Sequence, residues 1–396
     1  MTQSRWSLET LLVHAGNDIV KTEPYFATSP AIYPSTSFQV SSPELLDQVM
    51  EGSVPGFSYA RHGNPTVQAF AHAMARLEEA EVGVATASGM AAIDMALYAA
   101  CLQPGDRLLL SQDLYGASLN LASTIWTQYG IRSVVADFTD LTQVEDALRI
   151  NHPKAMFFEM ISNPLLKVVD MSSIVELAES YGCQVIVDNT FTTPLMVQPG
   201  VLGADLVVHS ATKYLGGHGD AMGGVVVGKS VYSERLHQYL KLRGAVLGPF
   251  EAWLLHRGLK TLAVRFERQC ANALDIAESL AASERFERIY YPLLPDHPTH
   301  LTARRYFGTM GGAVVTLEIP GGKDGVYQFI KNLHLVGSAT TVGDVYTLCL
   351  YPLIASHRNQ TPEERRTMGI TEGTVRIAVG LEDPQDVAHD ILQAMK

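Results

Sequence analysis

Short β-branched apolar runs alternate with longer stretches of helical period through the middle of the chain. Runs at Arg107–Ser111, Ser133–Asp137, Ala155–Glu159, Gln184–Asp188 and Asp205–His209 have the length and composition of strands buried on both faces. Helical patterns lie between them, as at Val168–Tyr181 after the Asn163-Pro164 break. A helix is expected from Thr66 to Glu79, and the turn Ala87-Ser88-Gly89-Met90 opens another to about Leu102. This alternation predicts an α/β fold with a mostly parallel sheet covered on both faces, which binds ligands beyond the carboxyl ends of its strands. From Pro249 to about Ser283 one long helical stretch leads into an α+β region. There, strands at Gly312–Ile319 and Thr374–Gly380 alternate with helices near 325–334 and 384–395. The first 62 residues contain Pro24, Pro30 and Pro34 and little periodicity, so they read as an arm laid over another surface. The expected organisation is an arm (1–62), a large α/β domain (63–255) and a smaller C-terminal α+β domain (256–396).

Composition narrows the function. With 396 residues, 47% of them hydrophobic and 18% charged, the chain can bury a large core. A net charge of -12 argues against sequence-independent nucleic-acid binding, which runs on a positive surface. No run is apolar enough to span a bilayer, and Met1–Trp6 carries no h-region, so a cytoplasmic protein with no membrane partner is expected. The four cysteines, Cys101, Cys183, Cys270 and Cys349, are far apart and form no CxxC, so neither disulfides nor a metal site is expected.

Candidate chemistry concentrates at the ends of the predicted strands. Lys213 follows an apolar strand in His209-Ser210-Ala211-Thr212-Lys213-Tyr214 and precedes Gly216-Gly217-His218-Gly219. Held out of water, its amine would have a lowered pKa and act as a nucleophile. Asp188 ends the strand before it. A lysine and an acid so placed suit pyridoxal phosphate, whose aldehyde needs the amine and whose ring nitrogen needs the acid. Asp188 could instead cap the following segment, and Lys213 alone could be a solvated charge. Ser88, Gly89 and Met90 form a helix start suited to a phosphate, although Ser88 also fits an ordinary N-cap. Ser210 and Thr212 could add hydroxyls to that phosphate, and Asn163 could donate to the ring's phenolic oxygen or mark a turn. Arg376, on a strand in the C-terminal region, could grip a substrate α-carboxylate or form an internal ion pair. His218 reads as a loop residue.

Taken together, these segments resemble the cysteine/methionine-metabolism family of fold-type I (aspartate-aminotransferase-like) pyridoxal-phosphate enzymes. The resemblance is carried by Tyr59-Ala60-Arg61-His62-Gly63-Asn64-Pro65-Thr66, Ala87-Ser88-Gly89-Met90, Asp113-Leu114-Tyr115-Gly116, Val187-Asp188-Asn189-Thr190, His209–Tyr214 and Val375-Arg376-Ile377-Ala378-Val379-Gly380. It implies that Lys213 is the Schiff-base lysine and proton shuttle, and that Tyr115 stacks on the cofactor and acts at the leaving group. It further implies that Asp188 is the ring-nitrogen partner and that Ser88, Gly89, Met90, Ser210 and Thr212 cradle the phosphate. Tyr59 and Arg61 would reach the phosphate of a neighbouring subunit, and a homotetramer of two such dimers is expected. Arg376 would hold the substrate carboxylate.

Departures from the family pattern bear on substrate. Ala117 stands where well-known methionine γ-lyases carry a cysteine, and Thr340 where cystathionine-handling members tend to have a glutamate for the distal amino group. Thr341 replaces a frequent serine near the carboxylate site, and Tyr351 and Leu353 replace residues of a His-Pro-Ala segment, which suggests a reshaped pocket. The expectation is γ-elimination through a vinylglycine intermediate on methionine or a related homoserine-derived amino acid, including O-linked ones such as canavanine. The alternative is a γ-replacing enzyme, an O-acylhomoserine sulfhydrylase or cystathionine γ-synthase. A catalytically silent binding protein on the same fold is a third reading, opposed by the intact motifs.

Overall fold

The computed structural model describes residues 6–17, 27–358 and 360–395. Parts of the expected arm, 1–5 and 18–26 with Pro24, lie outside the described residues. The larger sheet contains β1 (Val82–Thr86), β2 (Arg107–Ser111), β3 (Arg132–Ala136), β4 (Ala155–Glu159), β5 (Gln184–Asp188), β6 (Leu206–His209) and β7 (Gly224–Gly228). Its order is β1-β7-β6-β5-β4-β2-β3, and β7 alone runs antiparallel to its neighbours. Alternate residues of the strands feed two cores. Leu108, Leu110, Phe157 and Ile186 meet the helices Gly89–Ala99 and Ser233–Arg243. Leu109, Met156, Phe158 and Val185 meet Pro65–Leu77, Leu141–Asn151 and Met171–Tyr181. Burial on both faces explains why these strands read as continuous apolar runs, and each buried Leu, Ile or Phe contributes about 1.5–3 kcal/mol.

Two strands of this sheet, β1 and β7, were not expected from the sequence; β1 contains Gly83 and β7 begins and ends with glycine, which lowers strand propensity. The glycine has a packing reason at Gly83. A Cβ there would stand 2.3 Å from the Ala71 carbonyl oxygen, so only glycine lets the helix Pro65–Leu77 lie directly on β1.

A second sheet contains β8 (Arg288–Tyr290), β9 (Val314–Glu318), β10 (Gly337–Ser338), β11 (Leu348–Leu350) and β12 (Thr374–Ala378), in the order β10-β11-β12-β9-β8. The stretch expected as one helix from Pro249 to Ser283 is two, Pro249–Leu259 and Leu262–Ala282, and the expected division at 255 falls within the first. The second helix joins the two units: Leu262 and Phe266 belong to the first core, while Ile276 and Leu280 belong to the core under the second sheet. Within the expected arm the helix Pro43–Glu51 buries none of its residues, leaving Leu46 and Met50 exposed.

Candidate active site

A hollow of about 520 Å³ opens at the carboxyl ends of β4, β5 and β6 and is closed on its far side by the second sheet. Ser88, Gly89, Met90, Tyr115, Asn163, Asp188, Ser210, Thr212, Lys213, Thr340, Thr341 and Arg376 all line it. Residues separated by up to 288 positions thus converge on one cavity, because strand ends, a helix start and the loops that follow them meet at the same rim.

Lys213 is largely out of water. Burial, and then the nearby positive charge of Arg376, lowers its ammonium from the usual 10.5 to about 8. Its Nζ donates to Thr341 Oγ1 at 3.0 Å. Behind it, Arg265 donates to the Tyr214 carbonyl at 3.0 Å and the Gly258 carbonyl at 2.8 Å, which anchors the loop to the helices below.

At the start of the helix Gly89–Ala99, Ser88 Oγ accepts from the Ala91 amide at 3.2 Å, so this side chain is an N-cap as well as a lining group. A Cβ on Gly89 would come within 2.7 Å of Ser210 Oγ. The missing side chain lets the helix start and the Ser210 hydroxyl share one small space, a cradle suited to a phosphate. The Thr212 hydroxyl exchanges hydrogen bonds with the Gly223 backbone, donating at 3.2 Å and accepting at 3.0 Å.

Two acids meet at the floor. Asp188 Oδ1 accepts from the Thr190 amide at 2.9 Å, and Glu159 Oε1 accepts from the Tyr115 amide at 2.7 Å. The two residues are in register on neighbouring strands. Burial pushes Glu159 well above the usual carboxylate range, and the charge of Asp188 pushes it further. Glu159 was not among the expected site residues. The signal was the one used for Asp188, an acid closing an apolar strand.

Arg376 is 4% exposed, yet it forms no ion pair among the described residues. Nη1 donates to Asn163 Oδ1 at 3.2 Å and Nη2 to the Thr341 carbonyl at 2.9 Å, while Nε is buried with no partner. A guanidinium held by two neutral acceptors, with the rest of its five N–H donors left over, is suited to an incoming carboxylate.

Three expected groups lie elsewhere. Tyr59 and Arg61 are outside the hollow: Tyr59 is 45% exposed, and Arg61 stacks 5.5 Å over its ring while donating to the Lys241 carbonyl. Ala117 lines a neighbouring hollow of about 490 Å³ on the other side of Tyr115 and Ser356. Tyr351, expected at the substrate, is instead 2% exposed and donates its hydroxyl to the Glu372 carbonyl at 2.9 Å. Side chains alternate along an extended segment, so Leu350 faces the hollow and Tyr351 turns into the second core, where Leu353 packs beside it. Leu350, Ala355 and Ser356 line the cavity instead, together with Ile93, Ile161, Phe191 and Met222.

A buried amine of lowered pKa, a glycine-opened cradle at a helix start and an acid on the adjacent strand fit pyridoxal phosphate. The chain belongs to the Cys/Met metabolism PLP-dependent enzyme family, whose model matches residues 9–396. It is 40% identical over 372 residues to an L-methionine gamma-lyase of Pseudomonas putida, covering 93% of each chain. It is also 38% identical over 389 residues to an O-succinylhomoserine sulfhydrylase of Pseudomonas aeruginosa, covering 98% of this chain and 95% of the relative. A solved cystathionine gamma synthase from Xanthomonas oryzae pv. oryzae, in complex with aminoacrylate and cysteine, superimposes with a TM-score of 0.91 over 98% of both chains at 34% identity. The fold is therefore that of the fold-type I pyridoxal-phosphate enzymes. Among the described residues, no helix is long and apolar enough to cross a membrane, and no group of three or more His, Cys, Asp or Glu could hold a metal ion.

Proposed function

We propose that this enzyme catalyses γ-elimination on a γ-substituted L-amino acid with an apolar substituent, methionine or a close relative. The observation that carries this reading is the lining beyond Lys213: Ile93, Ile161, Phe191, Met222 and Leu350 are apolar, and Thr340 offers no charge to a distal amino group. The acids of the hollow, Glu159 and Asp188, sit at its strand-end floor.

When bound, pyridoxal phosphate supplies an aldehyde for amines and a ring that accepts the electrons released at the substrate's Cα. Lys213 would hold the aldehyde, Asp188 would pair with the ring nitrogen, and Asn163 would serve the phenolic oxygen. The helix start at Ser88, Gly89 and Met90, with the hydroxyls of Ser210 and Thr212, would receive the phosphate. Arg376, which lines the hollow, would bind the substrate carboxylate through guanidinium N–H groups not used by Asn163 and Thr341 and so fix Cα near Lys213. The Lys213 amine, lowered to about 8, would take the proton from Cα and later from Cβ. Tyr115, whose amide is pinned by Glu159, protonates the departing γ-group. Thr341 steadies the lysine between transfers.

Tyr59 and Arg61 do not line their own hollow, and Tyr59 is exposed, which supports their serving the phosphate of a second copy. The exposed apolar face of Pro43–Glu51 supports a homo-oligomer, a tetramer by the family pattern. Similarity to a sulfhydrylase supports γ-replacement as the second reading. Incubation with methionine, cystathionine, O-acylhomoserines and canavanine, each with and without sulfide or cysteine, separates the two. Keto acid and ammonia released without a thiol support elimination. Turnover that requires a thiol acceptor rejects it.

A further inference from the structure

The helix Leu262–Ala282, which passes from the first core into the second, buries three polar side chains among its apolar ones: Arg265, Gln269 and Asn272. Spacings of four and three place them in one row along one face. All three donate to backbone carbonyls. Arg265 donates from Nη1 to Tyr214 at 3.0 Å and from Nη2 to Gly258 at 2.8 Å, while its Nε donates to Thr261 Oγ1 at 3.1 Å. Gln269 Nε2 donates to the Asp344 carbonyl at 2.6 Å and to the Val379 carbonyl at 3.2 Å. Asn272 Nδ2 continues the row to Gly380 at 3.2 Å and Glu382 at 2.8 Å.

Three of these acceptors stand beside groups that the hollow uses. Tyr214 follows Lys213, Asp344 comes three residues after Thr341, and Val379 three after Arg376. All three lie outside helices and strands, so no regular ladder takes up their carbonyls. Gln269 Oε1 is buried without a partner, so the two carbonyls alone decide which way its amide faces. The row also crosses the junction of the two units. Lys213 belongs to the first, while Thr341 and Arg376 belong to the second. A Cβ on Gly343 would stand 2.5 Å from the Tyr214 amide nitrogen, so the segment bearing Thr341 packs directly on the Lys213 loop.

We propose that Arg265 and Gln269 are positioning residues for the reaction. Arg265 fixes the backbone behind Lys213, and Gln269 ties the segments carrying Thr341 and Arg376 to the same helix. That one element then sets the spacing between the amine and the carboxylate-binding guanidinium. The inference rests on Lys213 and Arg376 having the roles proposed above. A helix suits the task, because its backbone bonds are internal and its shape does not depend on what fills the hollow. Misplacing a reacting group by about 1 Å costs up to about 10²-fold in rate, so a small shift of either segment is measurable.

The test uses the protein purified with its cofactor and compares wild type with Arg265→Met, Gln269→Leu and Leu280→Ala. Leu280 packs in the second core on the same helix and does not line the hollow, so its variant reports lost stability alone. Melting temperature, cofactor affinity and the binding of norleucine are measured, the last through the change in the visible band. Norleucine has the shape of methionine and no leaving group. Gln269→Leu should bind norleucine about tenfold more weakly with cofactor affinity unchanged, and Arg265→Met should hold the cofactor about tenfold more weakly. Arg265→Lys, which keeps one donor, should fall between wild type and Arg265→Met. A merely structural role would lower the melting temperatures as Leu280→Ala does and leave both affinities at wild type, and that result would overturn the proposal. Where Arg265→Met or Gln269→Leu does not fold, Arg265→Lys and Gln269→Asn replace them, and the same outcomes decide. Arg376→Gln tests the underlying reading separately. If it binds norleucine as tightly as wild type, or if wild type binds none, the role of Arg376 falls and the proposal with it.

Discussion

Replacing Lys213 by methionine in the cofactor-free protein should stabilise it at neutral pH. The amine is lowered from 10.5 to about 8, mainly because burial disfavours its charged form. At about 1.4 kcal/mol for each pH unit, that is a penalty of about 3 kcal/mol carried by the folded state. The penalty is fully present below pH 8, where the lysine is charged in both the folded and unfolded chain. As pH rises from about 8 to 10.5, the folded state releases its proton while the unfolded state keeps it, so the wild type gains stability with pH. Methionine has nearly the same length, carries no charge, and leaves the Thr341 hydroxyl able to turn to the Val342 carbonyl. Thermal denaturation of both proteins, freed of cofactor and held at one concentration, would be followed from neutral to alkaline pH. The variant should melt higher at neutral pH, and the gap should shrink as pH rises through that window. A wild type that melts higher at neutral pH, or a gap independent of pH, would show that Lys213 carries no desolvation penalty and refute the reasoning.

Substitutions around the hollow should separate its parts. Arg376→Gln should retain the cofactor's visible absorbance. It should also lower kcat/KM at least tenfold, because a charged hydrogen bond to a carboxylate contributes about 1.5–3 kcal/mol. Tyr115→Phe should keep the melting temperature and cofactor content but slow turnover by about 10²–10⁴, the usual range for a lost general acid. Tyr351→Phe should cost about 1 kcal/mol of stability through the bond to Glu372 and leave substrate preference unchanged. Thr340→Glu should raise kcat/KM for cystathionine relative to methionine by about two- to five-fold, since an exposed ion pair contributes only about 0.2–1 kcal/mol.

Legibility in the sequence followed burial and residue type. β2, β4, β5 and β6 were readable because both faces are buried and β-branched or large apolar residues fill them. β1 and β7 were not, because the glycines that admit a helix or another strand at close range look like loop. Asp188 and Lys213 stood out because each ends an apolar run with a charge. Glu159 carries the same signal, but its meaning depends on the register that sets it beside Asp188. Glu78 was hidden for a different reason: an acid at a helix end reads as a solvated charge, and only the tertiary fold places it against His209. Tyr351 shows the limit of local pattern, since a one-residue alternation decides whether a side chain faces substrate or core.

The account stands on Lys213 being the residue that carries the cofactor. Reducing the holoenzyme with borohydride, digesting it and locating the pyridoxyl group by mass spectrometry tests this directly. The account predicts a single modified lysine, Lys213, and no modification in Lys213→Ala. A pyridoxyl group on another lysine, or undiminished labelling of Lys213→Ala, would contradict it.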